Sequence, residues 1–205
     1  MLTSDLKVLG RTVFCGLVVC LALYAEQAAT CAAPGYDAGT NIVVIGNAGE
    51  SFCVDDYGYS HAWYPTAAPV AYDASLNTLG SSAQFIMYDI GGTPTGVGGW
   101  LSPQVWTDSG WVATSSNFVV DTPVYNISAT KSESVINNSE VEITITSEMN
   151  WAWNGIKITY VVKNIDPGDG NDITSLAMVQ YFDYHPAGLS GDADKESAHS
   201  VRRLQ

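Results

Sequence analysis

Two segments of this chain place apolar side chains at every second position, the period of an extended strand with one dry face. In the first, Val141, Ile143 and Ile145 alternate with Glu140, Glu142, Thr144 and Thr146. In the second, Ile156, Ile158, Tyr160 and Val162 alternate with Lys157, Thr159, Val161 and Lys163. Asn154-Gly155 stands between them, a dipeptide suited to a type I′ hairpin turn, with Trp151 and Trp153 on one face of the strand leading in. The acidic stretch 166–172 follows, and the apolar run Ile173 to Tyr184 reads as a central strand. Three strands in a row predict an antiparallel meander.

The rest of the chain breaks into short apolar runs between Gly, Pro, Asn, Asp and Ser clusters, as all-β domains do. Ile42 to Ile45 and Ala83 to Asp89 are two such runs. Trp111 to Val120 and Val124 to Lys131 read as strands around an Asp121-Thr122-Pro123 turn. Five glycines within 91–99 mark a loop. The expected architecture is an all-β, antiparallel β-sandwich, jelly-roll or supersandwich-like, over 34–187. Residues 188–205 read as a polar C-terminal tail or a truncated end.

The N-terminus directs where such a domain works. Lys7 and Arg11 precede an uncharged run from Thr12 to Ala25, and small residues follow at Ala28, Ala29, Ala32 and Ala33. This order is that of a signal peptide, taken as 1–29 with cleavage between 25 and 33. The run is shorter than the roughly 20 residues that span a bilayer, so no membrane insertion is expected after cleavage. The protein is read as secreted, extracellular or periplasmic. In an oxidising compartment Cys31 and Cys53 are expected to pair in a disulfide worth about 3 kcal/mol. A lipoprotein acylated at Cys31 is the alternative, against which stands Thr30 in the preceding position.

Charge narrows the partners. The formal net charge is −13, and no Lys or Arg occurs between Arg11 and Lys131, against nine Asp and Glu. Such a surface repels nucleic acid and anionic lipid. A glycan or another cell-surface component remains as partner.

No motif carries a reaction by itself. The string from Ile42 to Ser51 resembles the strand-then-serine opening of SGNH-type esterases. It holds Glu50 where that family has Asp, and the late Asp183 and His185 stand two apart rather than three, so the triad partners of Ser51 are missing. Asp183 and His185 share a strand face and are the weak catalytic candidates, with Asp55, Asp56 and His61 as further carboxylate and imidazole groups. Asp166, Asp169, Asn171 and Asp172 offer oxygens for a structural Ca²⁺, without EF-hand spacing. No other cofactor is expected. Trp100, Trp106, Trp111, Trp151 and Trp153 are the ligand-binding candidates, because a tryptophan face stacks on sugar rings. Tyr57, Tyr59, Trp63 and Tyr64 extend that platform. Asn126-Ile127-Ser128 and Asn137-Asn138-Ser139 match the N-glycosylation pattern.

These features favour a non-catalytic carbohydrate-binding or surface module. A structural or adhesive matrix protein is the first alternative, and a glycan-cleaving enzyme, or a fragment of one, is the second. The mass of the exported product checks the leader and the bridge together. Cleavage between 25 and 29 with a gain of two hydrogens on reduction is expected, and a product retaining Met1 overturns the export reading.

Overall fold

The computed structural model describes residues 35–36, 41–46, 49–64, 79–107, 110–150, 155–165, 168, 172–184 and 196–204. These residues form antiparallel β-sheets, and no helix occurs among them. The signal peptide expected at 1–29 and Cys31 lie outside the described residues.

Strands β1 (Ile42–Gly46), β2 (Ser51–Asp55) and β3 (Ser60–Tyr64) pair in sequence order. A four-stranded sheet follows the order β13 (Glu196–Leu204), β12 (Ile173–Tyr184), β4 (Leu79–Ile90), β5 (Thr93–Trp100). β6 (Gln104–Thr107) and β7 (Gly110–Ala113) make a small hairpin. A second four-stranded sheet has the order β11 (Gly155–Asn164), β10 (Val141–Asn150), β9 (Lys131–Asn137), β8 (Val119–Ser128).

The two four-stranded sheets contribute to one hydrophobic cluster. Ile86 and Tyr88 of β4 meet Ile136 of β9 and Val141, Ile143 and Ile145 of β10, with Ile158, Tyr160 and Val162 of β11 and Leu176 and Met178 of β12 packed around them. The alternation read along β10 and β11 therefore turns its dry face inward. A second cluster joins Ile45, Phe52 and Val54 of the three-stranded sheet to Val124 and Met149. A polar tie also links the two large sheets. The Tyr88 hydroxyl donates to Glu140 Oε2 at 2.6 Å and accepts from Asn138 Nδ2 at 3.1 Å. Asn138 Oδ1 in turn accepts from the backbone N–H groups of Glu140 and Val141, closing the β9–β10 turn. Burial, then the Glu140 hydrogen bond, push the Tyr88 phenol up to about 12.

Several sequence expectations change here. The β10–β11 ladder closes at Asn150 opposite Gly155, so Asn154-Gly155 is not a two-residue turn and 151–154 connect the strands. This register sets Glu142 opposite Lys163 and Glu148 opposite Lys157. A two-residue turn at 154–155 would instead face both lysines with Thr146 and Ala152. β12 does not continue a meander beside β11 but lies between β4 and β13. The glycine-rich stretch 91–99 is not a loop. Gly91 and Gly92, with φ of 62° and 72°, form the two-residue turn that pairs Ile90 with Thr93. Beyond them β5 runs so close to β4 that a Cβ on Gly98 would lie 2.2 Å from the Ile86 carbonyl oxygen. Glycine here permits strand pairing rather than preventing it.

Asp121-Thr122-Pro123 does not end a strand either. β8 runs through it as an edge strand, where a proline costs no ladder bond and the register shifts between Thr122 and Tyr125. Within the stretch 188–205, read as a loose tail, Glu196–Leu204 forms β13 along the free edge of β12. Backbone pairing to an open edge needs no hydrophobic alternation, which is why the sequence pattern does not reveal it.

Tyr88→Phe removes the inter-sheet tie. It should cost about 1–3 kcal/mol in urea unfolding at neutral pH. The folded phenol titrates above the unfolded value of about 10, so its contribution is complete below that pH and lost as pH rises through about 12. The variant should show a shallower stability loss across that window.

Candidate functional site

The turn between β2 and β3 is built on two buried aspartates. The Gly58 N–H donates to the Asp55 carbonyl at 3.0 Å, and the Asp55 N–H donates to the Tyr59 carbonyl at 3.0 Å. Gly58 has φ of 71°, which a side chain would resist, and a Cβ there would sit 2.8 Å from Ile145 Cγ2. Asp55 Oδ1 accepts from the N–H groups of Tyr57 and Tyr59, both at 2.8 Å. Aspartate is the residue that closes a turn in this way, by taking the backbone donors beyond it. Asp55 Oδ2 accepts from the Tyr36 hydroxyl and lies 3.4 Å from His61 Nε2. Both side chains of the Asp55–His61 pair are fully buried.

Asp56 reaches outward from the same turn to two other segments. Its Oδ1 accepts from the Val124 N–H, and its Oδ2 accepts from the Asn41 N–H at 2.8 Å. The β8 register shift past Pro123 takes Val124 out of the ladder with β9. Its buried N–H would be stranded without Asp56. Burial, and then the charges of Asp55 and Asp56, raise the pKa of the neighbouring Tyr57 phenol.

Aromatic rings cover the Asp55–His61 pair. Tyr36 stands edge-on to His61 at 4.2 Å between centroids, and Tyr59 lies 5.0 Å from His61. Trp111 of β7 closes over them, 4.7 Å from Tyr36 and 5.6 Å from Tyr59. The fit is close: a Cβ on Gly35 would come within 3.1 Å of Trp111 Cδ1. Trp106, directly opposite Trp111 in the β6–β7 hairpin, meets it edge to face at 5.5 Å and is 44% exposed. The rings thus grade from a buried polar floor, through the half-buried Trp111, to a tryptophan open to solvent.

The other candidate residues are distributed around the molecule. Trp100 lies opposite Phe85 at the end of β5 and packs on it edge to face at 5.3 Å, away from the Trp106–Trp111 pair in the contacts it makes. Tyr57 and Tyr64 are core residues, and Trp63 packs on Phe52 at 6.4 Å, so these three do not extend a surface platform. Ser51 is buried within β2. Cys53 is buried in the cluster with Ile42, Ala62 and Tyr64, and its expected pairing with Cys31 involves a residue outside the described ones. Trp151, Trp153, Asp166, Asp169, Asn171 and His185 also lie outside them. The Asp172 carbonyl accepts from the Gly91 N–H at 2.9 Å. Asp183 sits in β12 between Ser81 and Ser197. Among the described residues no group of three or more His, Cys, Asp and Glu is placed to hold a metal ion. Tyr36 and Asn41 had no signal in the sequence, because only the folded turn brings them to Asp55 and Asp56.

No family model, curated protein or solved structure matches the chain.

Asp56→Ala leaves the Val124 and Asn41 N–H groups without their acceptor. It should cost about 2–4 kcal/mol in chemical denaturation, whereas Asp121→Ala on the exposed strand should stay within about 0.5 kcal/mol of wild type.

Proposed function

We propose that the protein is an exported, acidic antiparallel β-sandwich that binds a neutral glycan on the Trp106–Trp111 hairpin. The observation that carries this reading is the 44% exposure of Trp106 beside a Trp111 held by Tyr36 and Tyr59. A large exposed indole on a rigid backing offers an apolar face to the C–H surface of a sugar ring at little conformational cost. The scarcity of Lys and Arg disfavours an anionic partner. The common cluster of the two four-stranded sheets supports the sandwich. The disulfide between Cys31 and Cys53 belongs to the same exported reading.

The glycan-cleaving alternative draws no support from Asp55 and Asp56, because their oxygens are engaged by backbone and phenol donors that hold the turn. An adhesive or matrix role is the second reading. It is favoured by Val119, Tyr125 and Ile127, which are exposed apolar side chains along the edge strand β8.

Affinity electrophoresis in gels containing soluble xylan, β-glucan or dextran tests the choice. Retardation by at least one of them is expected. Trp106→Ala should weaken it by about tenfold or more while leaving the melting temperature near that of wild type, since the ring is exposed. Migration unaffected by every polysaccharide overturns the glycan reading, and self-association in sedimentation would then support the adhesive one.

A further inference from the structure

One end of the interior shared by the two large sheets is polar. Ser82 and Gln84 of β4 point to the same side as Ile86 and Tyr88, because strand residues two apart share a face. Gln180 of β12 lies directly across from Gln84, in line with the inward-facing Met178 and Leu176. Tyr160 comes from β11 in the opposite sheet, its ring packed on the hydrophobic cluster and its hydroxyl buried. Ser82 and Gln84 are themselves buried, and Gln84 Nε2 donates to the Gly58 carbonyl at 3.1 Å, which fixes the orientation of the amide.

Three atoms in this cluster are buried without a hydrogen-bond partner among the described residues: Gln84 Oε1, the Tyr160 hydroxyl and Gln180 Nε2. Burial pushes the Tyr160 phenol far up, and the Gln84 amide lies near enough to offset part of that effect. The two are nevertheless not in hydrogen-bonding geometry with each other. Buried polar groups left dry are costly, and native proteins satisfy nearly all of them through protein or ordered water. Two of these atoms can donate and one can only accept. A single water accepts from Tyr160 and Gln180 while donating to Gln84, which satisfies all three within the two to four bonds that such waters make. All three protein groups are neutral amide or phenol, so the complementary occupant is neutral as well. We infer that Gln84, Tyr160 and Gln180 hold an internal water molecule that ties β11 to β4 and β12.

Water-¹⁷O magnetic relaxation dispersion on the full chain, with thermal melts, tests this in the wild type, Tyr160→Phe and Gln180→Leu. The wild type should show one long-lived internal water more than either variant. Tyr160→Phe should melt about 2–4 °C lower, because the water loses a partner. If Tyr160→Phe fails to fold, Gln180→Leu supplies the same two readouts. An equal number of long-lived waters in the wild type and the folded variants overturns the inference. A Tyr160→Phe protein that melts higher than wild type also overturns it, since deleting a hydroxyl that had no partner relieves a penalty.

Discussion

Two adjacent buried carboxylates, Asp55 and Asp56, are the constraint on which the centre of this structure depends. The chain offers no Lys or Arg between Arg11 and Lys131, yet Asp55 and Asp56 are both buried within that interval. Their oxygens are met by backbone N–H groups, a tyrosine hydroxyl and the His61 imidazole. Hydrogen bonds to a charged acceptor are among the stronger ones available to a protein, and several aimed at one carboxylate compensate for much of its lost hydration. The donors come from the β2–β3 turn, the segment before β1, Tyr36 and β8. Satisfying two side chains therefore gathers much of the molecule around one turn.

That turn sits where the three-stranded sheet meets the rest. Gly58 packs on Ile145 of β10, and Phe52 and Val54 share a cluster with Val124 of β8 and Met149 of β10. Asp56 reaches by hydrogen bonding the same β8 residue that the apolar side chains reach by packing, since it holds Val124 from the backbone side. The bulge in β8 and the aspartate explain each other. A proline-containing edge strand releases an N–H from the ladder, and the released donor is the one that the buried carboxylate accepts.

The aromatic site inherits its rigidity from this arrangement. Tyr36 is held by Asp55, His61 is held beside the same carboxylate, and Trp111 rests on both rings. Trp106 then projects from a hairpin whose inner tryptophan is already immobilised. In the function we propose, this order matters more than the number of aromatics, because a ring fixed before binding loses little freedom when a ligand stacks on it. Tryptophans elsewhere, such as Trp100 on Phe85, use their area for packing within the fold.

Local pattern alone determined which residues of β10 and β11 face inward, because a period of two leaves one choice of face once one side is apolar. It also determined the β-rich class and the place of β12 inside a sheet, where it lies between β4 and β13. It misread the glycines of β5 and the proline of β8, since both residue types ordinarily break strands. Only the tertiary structure makes one a close strand approach and the other an edge bulge. The β10–β11 register likewise overrides the local preference of Asn154-Gly155, setting Ile143 opposite Val162, Ile145 opposite Tyr160 and Met149 opposite Ile156. The candidate site was legible only as separate residues: two adjacent aspartates, a histidine and several tryptophans. Their meeting with Tyr36, Asn41 and Val124 depends on contacts between residues 15 to 68 positions apart, and no periodicity within a single segment encodes such contacts.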